Sequence, residues 1–509
     1  MELTSSHKLF KIRAFTALAS LLLSAFAYYS NDIINNDGIL YMNMAEAYAK
    51  GGLAEMMEYT SFNWPFFPIL VAYIHQLTTF SFESSAYILN ALLFVLLLDS
   101  LILISKKFQL DSQQLAVAAI LFICFQSFNE YRDFIIRDFG YWAFCALTLY
   151  RFIQFIEKPT IANATFWQIA AITAVLFRVE GIAILLGLPF YLFINYTPKA
   201  ALKQYLKLNY LLILGVAIAA TLAIEMSGVT AAFSKITTVT NYINPDVILE
   251  RFNQKATIIE TQVLNQHSVK YSAFILSSGL MFMLFYKVIK AMSLGYLGLY
   301  LFSWYKNPKI QAAPYRGLII YFAALNIIIL LAFLFHEYFM SRRYAMVTLI
   351  SLLLLMLPRL TDTIAKAWTS RSKWLLSIIG LILLIGLVDG ITQSRSKAYI
   401  KETAIWASQN LPENSTVITD DKIIQYYYQS HQPKATLSKV WVGSYHNDAY
   451  QNSFNQIIKD YLNYDYLIVV EKRKNKKIRP ILASMKLEQI YSQETKRHNK
   501  ASVYKILTD

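Results

Sequence analysis

The sequence predicts a polytopic α-helical membrane protein of about eleven spans, followed by a small C-terminal α/β domain on the extracytoplasmic side. Three observations predict it. The 509 residues are 56% hydrophobic and only 16% charged, where a soluble domain carries roughly 25% charged residues. The apolar residues come in blocks of about 18–22, the length that crosses a hydrocarbon core of about 30 Å as a helix. Past residue 394 the blocks stop and charges become frequent. Backbone at membrane depth has no water to bond, so each block must be helical.

Taken in order, the spans fall near 12–29, 84–105, 112–128, 139–157, 162–178, 181–197, 208–227, 284–304, 317–335, 345–358 and 374–393. Lys8, Lys11 and Arg13 lead into the first, and Ala25-Phe26-Ala27 resembles a signal-peptidase site. We read it as an uncleaved anchor, because further spans follow. Segment 64–80 is apolar but short, and it holds Pro65, Pro68, His75 and Gln76. It reads as an interfacial or re-entrant helix. With it kept outside, the short inside loops hold 16 Lys and Arg against 6 outside, which places the N-terminus in the cytoplasm.

Residues 1–393 therefore form a membrane domain with two long outer loops, 30–83 and 228–283. The first contains a helical stretch from Tyr41 to Lys50. The second opens on the turn Asn244-Pro245-Asp246, and its residues 271–283 are apolar enough to extend the next span or to lie along the membrane. In the outer domain, 394–509, Thr416–Thr419 and Tyr466–Val470 read as strands and Lys401–Asn410 and Ile423–Tyr428 as helices. Cys124 and Cys145 both lie in apolar blocks and read as core residues. The net charge of +15 suits topology and anionic headgroups better than nucleic acid.

Ionisable residues near spans are costly, so they carry information. Four groups collect on the outer face. The first is Asp37-Gly38 with Tyr41 after span one; Asp37 equally suits a helix N-cap. The second runs from Glu130 to Asp138. Arg132 and Asp133 suit a solvated loop with snorkelling arginines; Asp138, which follows Arg137, suits it less, since apolar and aromatic residues follow at once. The third is Arg178 with Glu180, a structural ion pair or a site frame. The fourth is His336-Glu337 with Arg342-Arg343-Tyr344, where paired guanidinium groups suit a phosphate and a tyrosine equally suits the interface.

Asp37-Gly38-Ile39-Leu40-Tyr41, Asn63-Trp64-Pro65-Phe66-Phe67-Pro68, Arg137-Asp138, Arg178 with Glu180, Arg343-Tyr344 and the stretch from Trp406 to Tyr427 follow one another in an order that resembles the GT-C glycosyltransferases. The branch it looks like is that of the protein O-mannosyltransferases and the aminoarabinose transferase of lipid A. The resemblance implies a GT-C-like fold in a bacterial inner membrane and a sugar donor linked to polyprenyl phosphate. It implies catalytic roles for Asp37, as general base, and Asp138, with Asp133 a weaker choice. It implies substrate binding by Tyr41, Arg137, Arg178, Glu180, His336, Arg342, Arg343 and Tyr344. The family often has Asp-Glu in the first motif; Gly38 stands here in place of the Glu.

The implied reaction is an inverting single displacement onto an acceptor hydroxyl of a lipid, a glycan or a protein. No cofactor is certain. A divalent metal could assist through Asp37 and Asp138, although nothing resembles a complete hard-cation cage. The alternative class is a transporter or flippase of lipid-linked sugars, against which stands the lack of inverted-repeat symmetry. A polysaccharide polymerase or ligase is a third reading, disfavoured by the short late outer loop 336–344.

Overall fold

A computed structural model describes residues 2–59, 64–215, 244–306, 313–392, 397–432, 437–438, 461–471, 478–496 and 498–507. Asn63, part of span 208–227 and part of the second outer loop lie outside the described residues.

Among the described residues five helices are long and apolar enough to cross a membrane: Ser6–Ser30, Phe82–Lys107, Val269–Met292, Arg316–Glu337 and Arg342–Thr369. Four of these coincide with expected spans. The fifth corrects one. The stretch 284–304 is not a single span, because Ser293 has φ 67° and breaks the chain there. Residues 271–283 instead belong to the crossing that ends at Met292, and Leu294–Lys306 forms a separate helix of 13 residues. A left-handed serine cannot sit inside an α-helix without a steric penalty, so apolar composition overstated the continuity of that segment.

Shorter apolar helices of 10–17 residues fill in the bundle, among them Phe66–Thr78, Ser112–Ile123, Ile161–Phe177 and Gly181–Asn195. At 1.5 Å per residue the 13 residues of Phe66–Thr78 reach only about 20 Å, too short to cross. Asp138–Glu157 and Ile161–Phe177 pack side by side, with Trp142, Phe152 and Trp167 buried in the shared core.

Helix ends sort to two faces of the bundle. Ser30, Phe82, Asp138, Phe177, Glu337 and Arg342 are ends at one face. Lys107, Glu157 and Tyr315 meet at the other, where Glu157 accepts from Lys107 and, at 2.9 Å, from the Tyr315 hydroxyl. The first helix is tied to Phe82–Lys107 by Arg13 and Asp99 at 2.6 Å.

The C-terminal residues form a five-stranded sheet in the order β2-β1-β3-β5-β4, with β1 Val417–Thr419, β2 Leu437–Ser438, β3 Tyr466–Glu471, β4 Leu487–Glu494 and β5 Lys500–Ile506. β1 runs parallel to β2 and β3, while β5 is antiparallel to β3 and β4. The side-chain period of two divides β3. Ile468 and Val470 join the core under helices Ala398–Asn410 and Lys422–His431; Leu467 and Val469 join a second cluster with Leu482 and Met485. Burial on both faces explains why β3 reads as an unbroken apolar run.

Candidate active site

Two backbone approaches build the site. The segment 131–137 between helices has carbonyls that no ladder satisfies, and neighbouring side chains take them up. Asn31 Nδ2 and the Tyr87 hydroxyl donate to the Asp133 carbonyl at 2.8 and 3.0 Å, and Asn90 Nδ2 donates to that of Phe134 at 3.1 Å. Asn35 closes a two-way clamp on Ile135, accepting from its N–H at 2.8 Å and donating to its carbonyl at 3.1 Å. The clamp presses the Asp37 turn onto the Arg137–Asp138 turn. It requires a glycine at 38, where a Cβ would stand 2.8 Å from Ile34 Cγ1 and 3.1 Å from Ile135 Cβ. The close approach of the Ile34, Asn35 and Ile135 side chains thus accounts for a glycine at 38.

The second approach is Gly140, over which the Phe177 ring lies so closely that a Cβ would meet it at 2.2 Å. That seats Arg178, the next residue, against Asp138. The C-terminal sheet-and-helix region also reaches the site: the Tyr427 hydroxyl accepts from the Ile34 N–H at 2.9 Å.

The charged groups then interlock. Arg178 is buried and donates to both Asp138 and Glu180; its Nε lies 3.2 Å from Glu180 Oε2. Its guanidinium stacks 4.7 Å over the Tyr344 ring. Arg343 pairs with Asp37 at 2.5 Å, a contact between residues far apart in sequence. Arg342 pairs with Glu130. Arg343 also feels the charge of Asp138, and Tyr41 feels Arg137, Asp138, Asp37 and Arg343 together. Burial pushes the Tyr41 hydroxyl above its ordinary value, so it stays protonated at neutral pH. Burial by itself would raise the Glu180 carboxyl, but the Arg178 guanidinium outweighs it and holds Glu180 below its ordinary range.

The two carboxylates differ in kind. The Asp138 side chain is 3% exposed and its partner Arg178 is 9% exposed. Asp37 is 42% exposed against Arg343 at 21%. Asp37 is therefore open to an incoming molecule, and Asp138 is locked in the frame. The buried Nε–H of Arg343 carries no hydrogen bond, whereas buried donors are nearly always paired.

Asp138, Tyr141, Arg178, Glu180, Arg343 and Tyr344 line a cleft of only about 20 Å³, room for about one water. A wider groove of about 1110 Å³ lies on the other side of the Asn36–Tyr59 helix, between Asn36, Asn43, Glu46 and Glu83 and the C-terminal residues Lys401, Lys422 and Tyr426.

The structure thus brings together Asp37, Tyr41, Arg137, Asp138, Arg178, Glu180, Arg343 and Tyr344. Arg342 joins the edge through Glu130. His336 is held instead by Glu337 at 2.9 Å and by Arg251 at 3.1 Å. The reading of Arg132 as a snorkelling loop arginine is overturned. It is buried, bonded to Asn129, Ser20 and Ser24, and stacked 4.0 Å over Phe94. Ser20 and Ser24 belong to the first helix, out of reach of any local reading. Sequence reasoning also missed Tyr141, although it shares a helix face with Asp138 at i+3 spacing. Among the described residues no three His, Cys, Asp or Glu side chains gather in a way that would hold a metal, and Asp37 and Asp138 each face a guanidinium.

Fold and site together define a polytopic helical membrane protein with a charged cleft at one face of its bundle. No family model matches the chain, and no curated protein does. Among solved structures, it is similar to two cryo-EM structures of the arabinofuranosyltransferase AftD from Mycobacteria, the second a mutant form. Sequence identity is 12% in both, with TM-scores of 0.45 and 0.47 over 98% of this chain. The chain spans 40% and 42% of those proteins' lengths.

Proposed function

We propose that the chain is a membrane glycosyltransferase that moves a sugar from a polyprenyl-phosphate carrier to an acceptor hydroxyl at the outer face of a bacterial inner membrane. The observation that carries the proposal is the half-exposed Asp37 paired with Arg343, whose Nε–H is buried without a partner. A carboxylate beside a guanidinium with spare donor capacity suits a reaction that needs a base and a phosphate cradle within a few ångströms.

In the proposed reaction the acceptor oxygen bonds to the anomeric carbon while Asp37 takes its proton. The bond from that carbon to the phosphate oxygen breaks, and its electron pair leaves with the carrier phosphate. Attack opposite the leaving group inverts the centre. The charge that grows on the phosphate is met by Arg343, including its free Nε–H, with Arg137 nearby. Phosphate oxygens compete with Asp37 for Arg343, so donor binding releases the base as it fills the cleft. Asp138 and Glu180 act by fixing Arg178, and Arg178 by stacking on Tyr344 beside Arg343. The groove along Asn36 and Asn43 suits an acceptor rich in hydroxyl groups, since it offers amides, carboxylates and Tyr426.

The test is a reconstituted assay. The purified chain in liposomes receives a panel of polyprenyl-phosphate pentoses and hexoses carrying labelled sugar, with envelope glycolipids and glycans as acceptors. Label appearing on an acceptor, with release of polyprenyl phosphate, supports the reading. Label that crosses the bilayer still attached to its lipid would replace it with transport.

A further inference from the structure

At the face of the bundle opposite the cleft, a second cavity of about 430 Å³ opens between the helices Val269–Met292, Leu294–Lys306, Arg316–Glu337 and Arg342–Thr369. Its walls are largely apolar, yet Arg316 and Arg359 both line it. The wall residues Ile289, Trp304 and Ile320 are 50%, 58% and 47% exposed. Large apolar side chains so exposed beside full-length crossings mark a surface that meets hydrocarbon, so the cavity opens sideways into the bilayer. Trp304 at its edge suits the headgroup level. Pro358, also in the wall, has no N–H to donate to the Leu354 carbonyl, which loosens the helix beside Arg359.

An apolar slot open to lipid, with two guanidinium groups at one end, matches an amphiphile with acyl chains and an anionic head. We propose that this cavity binds an anionic glycerophospholipid from the leaflet on that face. Charge complementarity selects the anionic class over zwitterionic lipid. Distance argues against the carrier of the proposed reaction. Arg316 opens the helix whose residues Asn326 to Phe333 line the cleft, so a phosphate held there stands about 15–25 Å away along that helix.

The experiment uses the full chain in mild detergent and in nanodiscs, with phosphatidylglycerol, phosphatidylcholine and undecaprenyl phosphate as probes. Bound lipid is counted by native mass spectrometry, and affinity is read from thermal-shift titration. Phosphatidylglycerol is expected at one retained molecule, with affinity falling about fivefold for each guanidinium removed in Arg316→Gln and Arg359→Gln. Ile320→Trp, which fills the slot but keeps both arginines, is expected to abolish retention. This third variant separates a cavity site from general surface attraction. Equal retention of phosphatidylcholine, indifference to all three variants, or preference for undecaprenyl phosphate would overturn the proposal.

Discussion

Replacing Asp37 and Asp138 by asparagine, one at a time, separates a reagent from a frame residue. The substitution keeps shape and removes charge. Asp37 is 42% exposed, and pairs this open to solvent contribute about 0–1 kcal/mol. Asp37→Asn should therefore fold almost as the parent does. Loss of a general base typically lowers turnover about 10²–10⁴-fold, or about 3–5 kcal/mol on the barrier. Asp138 is 3% exposed against Arg178 at 9%, and breaking a buried pair costs about 3–5 kcal/mol. Glu180 remains on Arg178, so the low end, about 3 kcal/mol, is expected. Asp138→Asn should lose folded yield and melting temperature first, with turnover per folded molecule reduced much less than in Asp37→Asn. The assay is sugar transfer per folded molecule, with folded fraction taken from size-exclusion and thermal unfolding in detergent. Turnover in Asp37→Asn within about tenfold of the parent would refute the assignment, being below the smallest general-base effect. So would a stable Asp138→Asn that is inactive, since that would make Asp138 the reagent.

Two further outcomes follow from the same geometry. Gly38→Ala places a Cβ 2.8 Å from Ile34 and 3.1 Å from Ile135; overpacking of this kind costs about 1–3 kcal/mol. It also opens the Asn35 clamp, so thermal melting and transfer rate should fall together, and an unchanged pair of values would dismiss the clamp. Asp133 is a carboxyl that burial pushes up to about 6. Because the folded chain binds this proton more tightly than the unfolded chain, its contribution to stability is lost as pH rises from about 4 through about 6. The melting-temperature advantage of Asp133→Asn over the parent should widen from about pH 4 to about pH 7, and a gap that stays constant would show that the carboxyl is solvated.

Much of the architecture was legible because it is local. Apolar run length marks Phe82–Lys107 and Arg316–Glu337 as crossings, and β1 and β3 stand out as short runs rich in branched residues. β4 and β5 were missed. β4, Leu487–Glu494, is largely polar, and in β5, Lys500–Ile506, Ser502 and Lys505 interrupt the apolar residues. Both are strands because of the ladders they form with each other and with β3. Span 284–304 failed for a related reason: composition reports hydrophobicity but not the dihedral at Ser293.

By itself the sequence determined which residues carry charge near membrane-length apolar runs, and that those charges gather at one face. Chain order and helix length fix that much, since a helix of known rise must deliver its ends to opposite faces. Only the tertiary structure decided the pairing, Asp37 with Arg343 and Asp138 with Arg178, and hence which carboxylate stays open and which is walled in. Exposure is a property of what packs alongside. The partners themselves come from distant parts of the chain, Arg178 for Asp138 and Arg343 for Asp37.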